Sequence, residues 1–137
     1  MALIGSKMVK WSSIGRKEFP TIGPVTVPAA GSTTLATFEA NHIERLCVEI
    51  GVATQALDAF SIQVRMHSDG SFITLYSASG HFTSPSGLLI GASGDLTGLA
   101  AGATGWFILD TLGLDAVRLV ASGAVNNAAV TLYAGAA

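Results

Sequence analysis

His67, Ser68 and Asp69 are the residue types of a hydrolytic relay, in which a base takes the proton of a hydroxyl nucleophile while a carboxylate orients the base. They are consecutive, however, and neighbours on an extended chain point to opposite faces, so the three cannot converge on one substrate. Gly91-Ala-Ser-Gly-Asp-Leu-Thr-Gly98 has the glycine content of a phosphate-cradling loop but lacks the Lys-Ser/Thr and the helix that must follow, and is expected to be a flexible loop. His42, His67 and His81 lack metal-ligand spacing and are expected in turns or on the surface, and the single Cys47 can neither close an internal disulfide nor complete a zinc site. Glu44 and Glu49 are an odd number of residues apart, which places them on opposite faces of a strand. Asp110 and Asp115 bracket Thr111-Leu-Gly-Leu114, a turn whose backbone N–H groups short acids commonly satisfy. The sequence therefore nominates no catalytic residue, no metal ligand and no cofactor, and the chain is expected not to be an enzyme.

Binding chemistry is better represented. Residues 1–17 contain Lys7, Lys10, Arg16 and Lys17 and no acid, whereas residues 18–137 hold three arginines against all nine acids, so the formal net charge of −2 hides a basic arm on an acidic body. The arm also carries Met8, Val9, Trp11 and Ile14, too apolar for a solvated tail and too short for its own core. Docking of Lys7, Lys10, Trp11, Arg16 and Lys17 across an acidic protein surface is the expected role, since the acidic body would repel a nucleic-acid backbone. Trp106 is suited to anchoring a partner, and Cys47 suits either a small filler or a subunit contact. His81 and Phe82, in the glycine-rich stretch from Ser77 to Gly105, complete the candidate interface residues.

These side chains need strands to position them. Phe60-Ser-Ile-Gln-Val-Arg-Met66 alternates without an error, placing Phe60, Ile62, Val64 and Met66 on one face. His67-Ser-Asp-Gly70 supplies a turn with Gly70 suited to a positive φ, and Ser71 to Tyr76 returns, so residues 59–76 are predicted to form a β-hairpin. Glu44–Ile50 points Leu46, Val48 and Ile50 inward and Arg45, Cys47 and Glu49 outward; Ala116–Val120 points Val117 and Leu119 inward; Ala129–Tyr133 closes the chain. Pro24–Val27, Thr33–Phe38 and Trp106–Asp110 are shorter strands. Ser77–Gly105 is too long for a structureless loop and is expected to pack on a neighbour or to contain a short strand or helical turn near Asp95–Ala101. The prediction is an all-β, antiparallel, jelly-roll-like sandwich of seven or eight short strands over residues 20–137, preceded by an extended arm over residues 1–19.

Composition bears on assembly. Half of the 137 residues are hydrophobic, 12% are charged, and 37 are alanine or glycine. No stretch approaches the ~18–20 apolar residues of a bilayer span, and the N-terminus has the wrong order of charge and apolar residues for a secretory signal. Too few charges exist to cover the surface of a lone domain, so the chain is expected to sit in an assembly, without membrane.

The run Phe60–Leu75, with Val25–Leu35 before it and Ala116–Gly123 after it, resembles the small β-sandwich proteins of tailed-bacteriophage particles, above all the cement or decoration proteins that clamp the major capsid shell. The likeness spans roughly residues 24–134 and is one of strand pattern. It implies a structural virion protein on the outer capsid, assembled in the host cytoplasm. The implied partners are the major capsid protein and further copies of the chain, as a homodimer or homotrimer, with the dimer ahead because two-fold contacts are commonest. The alternative is a tail, spike or lectin-like module that recognises a host-surface glycan through His81, Phe82 and Trp106.

Overall fold

Each period-two segment becomes a strand that buries the face its apolar residues occupy. The computed structural model describes residues 17–28, 31–53, 59–76, 81–91, 94–97, 101–122 and 128–137. Their regular elements are all strands: β1 (Lys17–Glu18), β2 (Ile22–Val27), β3 (Ser32–Glu39), β4 (Arg45–Val52), β5 (Ala59–Arg65), β6 (Ile73–Thr74), β7 (Phe82–Thr83), β8 (Leu89–Ile90), β9 (Leu96–Thr97), β10 (Thr104–Asp110), β11 (Ala116–Ser122) and β12 (Ala128–Ala136). Of the predicted arm, Lys7, Lys10, Trp11 and Arg16 lie outside the described residues.

One sheet runs β1–β12–β4–β10–β7 with β2 also on β12, and the other runs β3–β11–β5–β6. Every pairing is antiparallel. The chain changes sheet at each step from β2 to β5, and again from β10 to β12, so that β2–β12–β4–β10 faces β3–β11–β5–β6. Two four-stranded sheets wound in this order make a jelly roll. The all-β sandwich predicted from the alternation is the fold, with β1, β7, β8 and β9 as two-residue additions to its eight strands.

Between the sheets lie Leu46, Val48, Ile50 and Val52 of β4, Phe107 and Leu109 of β10, and Val130 and Leu132 of β12, packed against Phe60, Ile62 and Val64 of β5 and Val117 and Leu119 of β11. Each such side chain contributes about 1.5–3 kcal/mol by leaving water. Two aromatic pairs extend this core: Phe82 lies 5.3 Å from Phe107, and Phe19 meets Phe38 edge-on at 4.9 Å. Phe19 also donates its N–H to the Ala134 carbonyl at 3.1 Å, so residues 17–19 run along β12.

The predicted hairpin forms, with Gln63 opposite Thr74 and Val64 opposite Ile73. Two details differ from the alternation. The strand stops at Arg65, which leaves Met66 in the loop and 57% exposed. The return strand is also shorter than Ser71–Tyr76, because Phe72 leaves the ladder and lies over two guanidinium groups, 4.0 Å from Arg118 and 4.9 Å from Arg65. Gly70 does not adopt the left-handed backbone expected of it. Its N–H closes a tight turn on the His67 carbonyl at 2.8 Å, and a Cβ there would sit 3.2 Å from that oxygen, so the position needs smallness. The glycine-rich stretch holds β7, which extends the first sheet beside β10, and the β8–β9 hairpin, which a bridge from Ser61 to Asp95 ties to β5. Of these, β9 is the short strand expected near Asp95–Ala101; β7 and β8 lie outside that range. Residues 77–80, 92–93 and 98–100 of it lie outside the described residues.

One glycine is indispensable to the sheet edge. Gly23 has φ +103°, and a Cβ on it would collide with the Val130 carbonyl oxygen and approach the Val25 nitrogen at 2.8 Å. Gly23→Ala is expected to cost about 2–4 kcal/mol, because unfavourable φ and a clash with backbone add. Gly31, at φ +93° with open space around it, provides the comparison: Gly31→Ala is expected to cost about 1 kcal/mol from φ alone. Urea midpoints of the two variants measure the difference, and equal shifts would remove the steric argument.

Candidate interaction site

The outward-facing residues of β10, β4 and β12 form one continuous surface, because register aligns them in rows. Trp106 lies opposite Glu49, and Glu49 opposite Tyr133; the next row is Ile108, Cys47 and Gly135. Neighbouring strands are ~4.8 Å apart, which puts the Trp106 and Tyr133 backbones ~10 Å from each other across Glu49. Trp106 is 40% exposed and Tyr133 51% exposed. Small residues at Gly51 and Gly135 keep the relief low, and a groove of about 820 Å³ opens between Trp106, Cys47, Glu49, Tyr133, Glu18 and Phe19.

Polar contacts fix Trp106 in place. Where β7 stops, Ser84 and Ser86 donate their hydroxyls to the Trp106 carbonyl at 2.7 and 2.9 Å, and the Trp106 N–H donates to Ser86 Oγ at 2.8 Å. Leu88 donates its N–H to Ser84 Oγ at 3.0 Å, which anchors the segment that holds β10. The Trp106 backbone is thus hydrogen-bonded through both its N–H and its carbonyl, and the ordering cost of contact with a partner falls on the side chain alone.

A second concentration of charge lies at one end of the roll. Glu39, Glu44, Asp69, Asp110 and Asp115 come together there from the β3–β4, β5–β6 and β10–β11 connections. Thr111, fully buried, ties two of these connections: its hydroxyl donates to the Ile43 carbonyl at 3.0 Å and its N–H to the Glu44 carbonyl at 2.8 Å. Asp110 Oδ1 accepts the Leu112 N–H at 3.1 Å, the local role expected of it. Asp115 instead pairs with Arg65 at 2.8 Å. The remaining carboxylates are exposed, and among the described residues none of them pairs with a lysine or arginine. A cleft of about 450 Å³ opens between the connections, flanked by Met66 and by Leu112, which is 66% exposed.

Of the residues singled out in the sequence, Cys47 and Trp106 share the sheet surface, and Cys47 is exposed. Phe82 is half-buried against Phe107 and does not reach that surface. His81 lies exposed at the acidic end, with Nδ1 3.2 Å from the Asp110 carbonyl. Lys17 is exposed on β1, its Nζ 5.0 Å from the Phe19 ring centroid. His67, Ser68 and Asp69 occupy the turn after β5, where His67 Nδ1 accepts the Asp69 N–H at 3.1 Å, a local bond and not a relay. Tyr133 is the residue that sequence reasoning passed over. Its outward direction follows from the alternation Val130, Leu132, but its place beside Trp106 depends on register between β12, β4 and β10. Among the described residues, no group of three or more His, Cys, Asp or Glu is arranged to hold a metal ion.

No family model matches the chain, and no curated protein matches it. Among solved structures it is similar to the SPBc2 prophage-derived protein YomS, with TM-score 0.52 and 13% identity over 88% of this chain and 93% of that one. A likeness to the structure of infectious bursal disease virus, Gx strain, has TM-score 0.39 and 14% identity, covering 88% of this chain and 32% of that one. The first shows a fold shared over nearly the whole length of both chains.

Proposed function

We propose that this chain is a structural component of a tailed-bacteriophage particle, which sits as an oligomer on the outer capsid and cements neighbouring capsid subunits. The observation that carries this reading is the Trp106–Glu49–Tyr133 row on a low, rigid sheet surface. Large aromatics held in the open by a satisfied backbone are the usual anchors of protein interfaces. The shared fold with a prophage-derived protein supports it, as does a composition with too few charges to cover a lone domain. A cement acts by area: about 1,200–2,000 Å² per contact, repeated around a shell, gives avidity without any chemical step. No reaction is assigned to the chain. Its location in this reading is the virion surface, after assembly in the host cytoplasm.

Co-sedimentation with capsids that lack the chain tests the proposal. Saturable binding and a raised temperature of capsid disruption are expected. Absence of binding, with disruption temperature unchanged, contradicts it.

The same row favours one further reading. Sugar rings stack on aromatic faces while their hydroxyls donate to a carboxylate, and Trp106, Glu49 and Tyr133 offer both along one groove. A host-surface glycan would then be the ligand, bound at the sheet and not at His81 and Phe82. Saturable binding on a glycan array, lost in Trp106→Ala, supports this second reading; an empty array removes it.

A further inference from the structure

We propose that residues 1–16 of one copy dock on the acidic end of a second copy, so that the basic arm links protomers. The inference rests on the reading of the chain as an assembling protein and identifies the surface that receives the arm.

Direction is the first observation. Lys17 lies opposite Ala136 and Glu18 opposite Gly135, so β1 runs inward from the end of the roll where β12 finishes. At that end the Ala137 carbonyl accepts the N–H groups of Glu44 at 2.7 Å and Arg45 at 3.0 Å. Lys17, the first described residue, therefore stands at the acidic end of the sandwich, where β1 begins. Sixteen extended residues reach ~50 Å, several times the ~10 Å between packed sheets, which is ample to cross to a neighbour.

Complementarity is the second. Lys7, Lys10 and Arg16 supply three positive charges with no acid among them. The receiving end exposes Glu39, Glu44, Asp69 and Asp110 without lysine or arginine partners among the described residues. Apolar character matches too: Met8, Val9, Trp11 and Ile14 lie between the basic residues, and the cleft between the connections is flanked by exposed Met66 and Leu112. Charge pairs at a rim set register and encounter rate, while a Trp against the apolar Met66 and Leu112 side of the mixed cleft holds the contact. A copy that gives its arm and receives another closes a symmetric pair or ring, consistent with closed homo-oligomers.

A charge-swap with the full chain tests this. One variant carries Lys7→Glu, Lys10→Glu and Arg16→Glu; the other carries Glu44→Lys and Asp69→Lys, both at exposed positions. Light scattering across a concentration series reads self-association, and thermal melts confirm that each variant folds. Wild type is expected to associate, and each variant alone to associate about tenfold more weakly or worse. An equimolar mixture is expected to recover association, because each variant's arm now faces an end of opposite charge. A monomeric wild type overturns the proposal, as do variants that associate like wild type. A mixture that stays dissociated also overturns it, because an arm folded back on its own copy gains nothing from mixing. Capsid binding by a chain whose mixture fails contradicts the arm exchange alone; recovery on mixing without capsid binding contradicts the capsid reading alone.

Discussion

Phe107→Ala is expected to lower folding stability by about 3–5 kcal/mol, the range for truncating a fully buried phenylalanine that leaves a cavity behind. Phe107 is fully buried in the middle of β10, between β4 and β7, and its ring lies 5.3 Å from that of Phe82. The site cannot collapse cheaply, because β10 is held on both edges by antiparallel ladders. Domains of this size have about 5–15 kcal/mol in total, so the variant loses roughly a fifth of its margin or more, and its melting temperature is expected to fall by roughly 10 °C or more. Urea denaturation measures the change directly. A loss below about 1 kcal/mol would mean that the inward face of β10 is not part of the core.

One residue earlier on the same strand, the expected outcome reverses. Trp106→Ala together with Tyr133→Ala is expected to change folding stability little, because both side chains stand on the outward face of the sheet. Binding to capsids should suffer instead. Truncating an aromatic anchor at the centre of an interface costs about 2 kcal/mol or more, roughly a thirtyfold loss of affinity for each. The pair should therefore be cooperative folders that fail to co-sediment. If both variants bind capsids like wild type, the Trp106–Glu49–Tyr133 row is not the contact surface. The contrast between Phe107 and Trp106 is a direct consequence of strand parity, since adjacent residues face the core and the solvent.

Parity is also what made the fold legible. The errorless alternation from Phe60 to Val64, and the inward sets Leu46, Val48, Ile50 and Val117, Leu119, are local properties, and each matches the buried face in the structure. Local reasoning failed where a tertiary contact competes with the pattern. Met66 continues the alternation in sequence, yet β5 ends at Arg65, whose guanidinium turns to Asp115. Phe72 belongs to the predicted return strand, yet it stacks on Arg118 and Arg65. At Gly70, small size and not backbone sign is what the turn demands.

The interaction surface was legible only in part, for a related reason. Trp106 and Cys47 could be marked as outward residues from their own strands, but Tyr133 joins them through a register between segments far apart in sequence. The uneven charge was visible as a basic arm and an acidic body. That Glu39, Glu44, Asp69 and Asp110 lie at one end, the end at which β1 begins, follows only from the order in which the jelly roll returns its connections. Phe82, which looked like a surface aromatic in a glycine-rich stretch, is drawn against Phe107 by the pairing of β7 with β10.

Electron cryomicroscopy of capsids saturated with the purified chain shows which surface meets the shell. The expected map shows jelly rolls on the outer shell at the joints between capsid subunits, with the β10–β4–β12 surface and its Trp106 and Tyr133 side chains against capsid protein. A shell without added density, or rolls attached with that surface facing solvent, would contradict the account.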